Sequence, residues 1–256
     1  MPPSLRLVHL TDFHLLGEAN ARLHGWHVQR ALELVLDDIC HAVPDAAAFV
    51  LGGDLVDDET TAGYTRLDDR LAALGRPVLA MAGNHDDPAR MAAHLRHARV
   101  HMRLEIGGWQ LFALNSHLDS SEAGRVGARQ LHDLDAQLSR HPNPALVFVH
   151  HPPCPVGSAW IDAIGLQDRD ALAAVIKRHP HVQAIVCGHA HQQAALAFAG
   201  RPCLITPATM RQFLPQSHGF AEDAEHAPGY RVLTLTPDGG MTSRVRRVEA
   251  ARLACG

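Results

Sequence analysis

Cysteine is sparse and without pattern in this chain. The five residues, Cys40, Cys154, Cys187, Cys203 and Cys255, are an odd number, lie far apart and form no Cys-x-x-Cys pair. That argues against a disulfide framework and against zinc or redox chemistry built on paired thiolates, and reduced, mostly buried thiols are expected. No apolar run approaches the roughly 20 residues that span a bilayer. The opening Met1-Pro2-Pro3-Ser4-Leu5-Arg6 lacks the basic-then-apolar build of a signal peptide. A cytoplasmic protein without a membrane partner is therefore expected. Positive charge is short as well: the formal net charge of −4 provides no field to gather nucleic acid. No internal repeat, low-complexity tract or linker divides the chain. Its 256 residues, 46% of them hydrophobic, can bury a sizeable core. A single domain over 1–256 is expected.

Histidine, in contrast, is abundant at 20 residues. A histidine near a carboxylate therefore proves little by itself, and only position can promote one. Leu5 to Leu10 is a short apolar run ending in Thr11-Asp12-Phe13-His14, as a buried strand opening into a loop would read. Val28, Leu32, Val35 and Ile39 recur at helical spacing, and Pro44 closes that helix. The alternation repeats. Ala47 to Leu51 runs into Gly52-Gly53-Asp54, a helix is expected from about Thr65 to Leu74, and Pro77 to Ala82 runs into Gly83-Asn84-His85-Asp86. Further strands are expected at Trp109 to Leu114, at Ala145 to Val149 before His150-His151-Pro152-Pro153, and at Gln183 to Cys187 before Gly188-His189-Ala190-His191. Helices are expected over Ala128 to Leu138 and Arg169 to Arg178. Short strands at Ala194 to Phe198, Cys203 to Thr206, Tyr230 to Leu235 and Met241 to Val248 complete an α/β pattern, the last two joined by an Asp238-Gly239-Gly240 turn. Gln212 to Pro228 reads as a long loop, of the kind that often borders a site.

Five expected strands thus end in polar residues able to bind metal. Each fragment has an ordinary reading: Asp12-Phe13-His14 as a turn, Asp54 as a helix cap, Gly83-Asn84 as a left-handed turn, His150-His151 as a loop pair, His189 and His191 as chance alternation. Chance supplies any one of these more easily than all five in order. In open α/β sheets, loops at the carboxyl ends of strands gather on one edge, so these residues can converge. Carboxylate, imidazole and amide oxygen without thiolate suit manganese, iron or zinc, and calcium sites would use fewer histidines. Seven ligands are too many for one tetrahedral ion and suit two if a carboxylate bridges, for which Asp54 is the candidate.

The ordered set Asp-x-His, Gly-Asp, Gly-Asn-His-Asp, His-His-Pro-Pro and Gly-His-x-His resembles the calcineurin-like metallophosphoesterase signature, over about Leu5 to His191. The resemblance implies a four-layer α/β/β/α sandwich with mixed sheets. It also implies two divalent or mixed-valence ions, iron and manganese before zinc. Asp12, His14, Asp54 and His191 would hold one ion, and Asp54, Asn84, His150 and His189 the other. His150, followed by x-Pro, matches the family ligand better than His151. Ser158-Ala159-Trp160-Ile161-Asp162, Gln212-Phe213-x-Pro215 and Pro228-Gly229-Tyr230-Arg231 extend the likeness to bacterial class III cyclic nucleotide phosphodiesterases, particularly the cyclic-AMP enzymes, with a family-specific part from about residue 200. Asn115 is a departure, since those enzymes carry Asp there.

The reaction so implied is hydrolysis of 3′,5′-cyclic AMP to 5′-AMP by a hydroxide shared between the metals, the substrate being a small cyclic nucleotide and the protein a monomer or homodimer. Asn84, His85 and His191 would contact substrate. His85, next to ligand Asn84, would protonate the departing 3′-oxygen or else hydrogen-bond a phosphoryl oxygen. Asp86 and His151 are the candidates for orienting metal histidines, and Arg211, Phe213, His218 and Phe220 for touching the base. Two alternatives stand beside this reading. One is a phosphodiesterase acting on glycerophosphodiesters, 2′,3′-cyclic nucleotides or other nucleotide derivatives. The other is a scaffold that lost catalysis, which should lack ligands, whereas all eight core residues are present.

Overall fold

A computed structural model describes residues 4–255, and Met1 to Pro3, on which part of the signal-peptide reading rests, lie outside them. Along the first half run β1 (Leu5–Leu10), α1 (Val28–Ala42), β2 (Ala46–Leu51), α2 (Thr61–Leu74), β3 (Val78–Ala80), α3 (Pro88–His94) and β4 (Arg99–Val100). The second half starts with β5 (Arg103–Ile106), β6 (Trp109–Leu114), α4 (Ala128–Arg140), β7 (Ala145–Val149), α5 (Ala159–Asp162), α6 (Arg169–Arg178), β8 (Val182–Cys187), β9 (Ala194–Phe198) and β10 (Arg201–Ile205). A small hairpin, β11 (Gln212–Phe213) and β12 (Glu222–Asp223), precedes β13 (Gly229–Leu235) and β14 (Met241–Arg247).

Two six-stranded mixed sheets result, ordered β14-β13-β1-β2-β3-β4 and β5-β6-β7-β8-β10-β9. In each, the central strands run parallel: β1 pairs parallel with β2 and antiparallel with β13, the edge strand β4 stays parallel to β3, and β7 pairs parallel with both β6 and β8. Burial explains why these strands read as largely apolar runs. On β1, Leu7 packs between the sheets while Val8 and Leu10 pack under the helices. On β7, Leu146 and Phe148 point to the inter-sheet layer, and Ala145, Val147 and Val149 to the other helical layer. Both faces are covered, so both alternating sets are mainly apolar, with His9 a buried exception. The architecture is the expected four-layer α/β/β/α sandwich.

Several elements differ from expectation. Helix α2 starts four residues early, because the Thr60 side chain accepts from Gly63 N–H and caps it there. Helix α3 went unread because it buries only Met91 and shows no apolar stripe, although Asp87 caps it and Pro88 opens it. The expected loop at 212–228 contains the β11–β12 hairpin. Only Cys187 and Cys203 are buried, so the thiols are not mostly buried, and all five are free. No helix is long and apolar enough to cross a membrane among the described residues.

Candidate active site

The C-terminal ends of β1, β2 and β3 in one sheet and of β7 and β8 in the other meet at one edge. Hydrogen bonds sew the two sides together: His189 N–H donates to Asp12 Oδ1 (3.1 Å) and His150 Nδ1 to Gly52 C=O (2.7 Å). The seven candidate ligands converge there. His14 Nε2 and His191 Nε2 lie 3.1 Å apart, and His191 Nε2 is 3.4 Å from Asp12 Oδ1. Asp54 Oδ2 stands 3.7 Å from His14 Nε2 and 3.3 Å from His150 Nε2, so one carboxylate oxygen separates two groups of imidazoles. Asn84 Oδ1 and His189 Nδ1 face each other at 3.0 Å.

Backbone strain is concentrated at these positions. Asp12, His14, Asp54, His189 and His191 all adopt left-handed conformations, with φ of 58°, 49°, 51°, 66° and 49°. Such residues persist where the surroundings over-determine them, as functional sites do. The glycines beside them clear space. A Cβ on Gly83 would lie 2.1 Å from Asp54 Oδ1, and one on Gly188 would lie 2.0 Å from Thr11 Oγ1 and 2.8 Å from Asp12 Oδ2.

The imidazoles are aimed by their other nitrogen. His14 donates from Nδ1 to Asp57 Oδ1 (2.7 Å), His150 to Gly52 C=O (2.7 Å) and His191 to Arg211 C=O (3.0 Å). Each bond fixes a tautomer whose bare Nε2 points into the cluster. Phe213 lies flat on His191, with ring centroids 4.1 Å apart and planes within 7°, so the Gln212-Phe213 segment holds that ring from its face.

The residues expected to orient metal histidines do otherwise. Asp86 accepts from the N–H groups of Leu55, Val56 and Gly83 and from the Tyr64 hydroxyl, so it clamps the loops carrying Asp54 and Asn84 and bonds to no histidine. His151 is tied to Ser116 Oγ (2.7 Å) and to Glu122 C=O (3.1 Å). Its nitrogens lie near those of His150 and His189, but both are bonded to groups outside the cluster, whereas buried His150 Nε2 faces Asp54 Oδ2, itself a candidate ligand, at 3.3 Å. That distinction favours His150 as the ligand. Asn115 accepts from His117 N–H and settles its own loop. Sequence reading missed Asp57, although it opens an acidic run three residues after Asp54. It also missed His101 and His117, which bind the Asn84 loop through Ala82 N–H (2.8 Å) and Gly83 C=O (3.0 Å).

The donor set fits metal ions. Asp12 and Asp54 are buried carboxylates, and among the described residues neither has a Lys or Arg partner, only histidines. Without a cation the two charges draw a proton instead: burial opposes it, but Asp54 and Asp12 raise His150 to about 9. His189 Nε2 is a buried nitrogen without a partner. Buried uncompensated charges and orphaned ring nitrogens are costly unless an ion completes them.

His85 stands apart from the ligands. Its backbone N–H donates to Asp54 Oδ1 (2.9 Å), its Nδ1 contacts Asp57 Oδ1 (3.1 Å), and its side chain is 43% exposed. Partial burial works against its charge, but the Asp57 hydrogen bond and the Asp54 and Asp57 carboxylates raise it to about 9. On one side of His85 opens a cavity of about 240 Å³ walled by Trp160, Arg211, Phe213 and Phe220. Beside it lies a space of about 480 Å³ bordered by Glu59, Asp87 and Asp119, with Glu122 lining both. Of the four residues expected near a base, three line the first cavity, and His218 is exposed outside it.

These side chains form clusters that could hold metal ions, and comparison with known proteins places the chain in a family. The family model described as calcineurin-like phosphoesterase matches residues 5–193, and the chain belongs to that family. The chain is 32% identical over 252 residues to the 3′,5′-cyclic adenosine monophosphate phosphodiesterase CpdA of Escherichia coli (strain K12), covering 97% of this chain and 91% of that protein. It is 35% identical over 247 residues to a 3′,5′-cyclic-nucleotide phosphodiesterase of Nostoc sp., covering 95% and 92%. Among solved structures, a dimetal phosphatase from Danio rerio matches with a TM-score of 0.64 at 16% identity, covering 97% of this chain and all of that one. Purple acid phosphatase PPD1 from yellow lupin matches with a TM-score of 0.63 at 15% identity, covering all of this chain and 56% of that one. These two likenesses are of fold.

Proposed function

We propose that the chain hydrolyses 3′,5′-cyclic AMP to 5′-AMP with two divalent metal ions, iron or manganese before zinc. The carrying observation is the placement of Asp54 Oδ2 between His14 Nε2 and His150 Nε2, 3.7 and 3.3 Å away. One ion falls to Asp12, His14, Asp54 and His191, and the other to Asp54, Asn84, His150 and His189. Ions bound there would supply a nucleophile near neutral pH and neutralise charge on the phosphoryl oxygens. The substrate reading draws support from the names and near-complete coverage of the relatives in Escherichia coli and Nostoc.

The chain's own residues do the rest. Asp57 holds His85 by Nδ1, which leaves Nε2 free to donate to the departing 3′-oxygen as the ester opens. Asn84 and His191, at the two ends of the ligand set, also position the phosphoryl group. Asp86 keeps the Asp54 and Asn84 loops in register. The carboxylates bordering the cavity beyond His85 would repel further phosphates, which disfavours nucleoside di- and triphosphates. The test is conversion of cyclic AMP to 5′-AMP by metal-stripped protein, with and without manganese, beside N84A. Manganese-dependent turnover that N84A loses is expected. Activity on bis(p-nitrophenyl) phosphate with none on cyclic AMP would overturn the substrate assignment.

A further inference from the structure

The cavity beside His85 has a wall unlike the rest of the site. Trp160, Phe213 and Phe220 pack edge to face, with centroid separations of 5.0, 5.5 and 5.4 Å. Phe220 is nonetheless 56% exposed, a large apolar ring left open at the mouth of a charged site. Arg211 enters this wall with its guanidinium 5.3 Å from the Phe213 centroid and 5.4 Å from that of Phe220. Its Nε is buried without an acceptor. Its other end reaches Glu222 Oε1 at 3.3 Å, across the β11–β12 hairpin. A donor and an acceptor therefore stand side by side: Arg211 lines an aromatic pocket that opens on the metal cluster, and Glu222, opposite Phe213 in the hairpin, is bonded to it.

Resting on the cyclic-nucleotide reading above, we propose that the Arg211–Glu222 pair reads the base and selects adenine over guanine, while Phe220 and Trp160 pack against the ring. Adenine presents on one edge an acceptor, N7, and a donor, the N6 amino group; guanine presents two acceptors, N7 and O6. Arg211 matches N7 of either base. Glu222 accepts from the adenine amino group and repels guanine O6. A phosphate on the metals leaves the base on this side, because this cavity has Trp160, Phe213 and Phe220 in its wall whereas the space bordered by Glu59, Asp87 and Asp119 has no Phe, Tyr or Trp among the described residues.

The experiment compares kcat and KM for cyclic AMP, cyclic GMP and methyl riboside 3′,5′-cyclic phosphate, which is the same ester without a base. Wild type should prefer cyclic AMP to cyclic GMP about tenfold or more, the scale of one well-placed base contact. E222Q, whose amide can offer either a donor or an acceptor, should reduce that preference about tenfold through KM. F220A should raise KM for both nucleotides about tenfold, leave their ratio in place and erase their advantage over the base-free ester. An unchanged ratio in E222Q, or a wild type blind to the base, overturns the proposal. Should neither nucleotide be hydrolysed while bis(p-nitrophenyl) phosphate is, the reaction reading fails, and calorimetric binding of 5′-AMP and 5′-GMP to the manganese-loaded protein decides the pair alone. Tighter 5′-AMP binding that E222Q abolishes supports it, and equal binding refutes it.

Discussion

The two sheets bring different chemistry to their shared edge. The first, through β1, β2 and β3, supplies both carboxylates and the amide, Asp12, Asp54 and Asn84, with one imidazole, His14. The second, through β7 and β8, supplies only imidazoles, His150, His189 and His191. The support differs too. The first sheet's residues are braced by side chains: Asp57 behind His14, Asp86 under the Asp54 and Asn84 loops, and His101 and His117 on the Asn84 approach. On the second, His150 and His191 are braced by backbone carbonyls at Gly52 and Arg211. Side-chain support can be removed by substitution, whereas carbonyl support belongs to the fold. The first half of the site should therefore be the half that mutation can loosen.

The largest effect should come from the residue that faces both groups. D54N should lower turnover by about a thousandfold or more, which corresponds to about 4 kcal/mol of transition-state stabilisation; a loss below about tenfold would contradict the bridging role. Next, H85A should cost about a hundredfold on cyclic AMP, whose leaving group is poor, and less on bis(p-nitrophenyl) phosphate, whose leaving group hardly needs a proton. Equal losses on both substrates would assign His85 to phosphate contact and not to proton donation. D57N strips the brace from His14 and His85 together, and should cost about ten- to a hundredfold in metal affinity or turnover, on the usual scale for such supports.

The smallest effect concerns stability. Burial and the nearby His117 lower His101 to about 4, and its neutral ring accepts from Ala82 N–H. The unfolded chain, with histidine near about 6.5, binds this proton more readily than the folded one. Stability from His101 is thus complete above about 6.5 and is lost as pH falls from there towards about 4. Urea unfolding of H101Q between pH 7 and 5 should show a shallower fall than wild type, and parallel curves would remove His101 from the account.

Much of this was legible because the chemistry sits at the ends of short apolar runs. Leu10, Leu51, Val149 and Cys187 each end a strand, and the polar residues that follow have nowhere to go but the shared edge. The supports were less legible. Asp57 offered a signal in its nearness to Asp54, but Asp86 was assigned to the histidines when it bonds backbone N–H groups. The carbonyls of Gly52 and Arg211 have no signature in residue type. The β11–β12 hairpin was hidden because two-residue strands show no periodicity, and with it the pairing of Arg211 and Glu222, eleven residues apart.

The central claim is that two sheets share two ions through Asp54. Metal analysis by mass spectrometry, on wild type and D54N reconstituted with manganese and freed of excess ion, tests it most directly. Two ions per wild-type chain and a clear loss in D54N are expected. A single ion per wild-type chain, or two ions retained in D54N, would contradict the account.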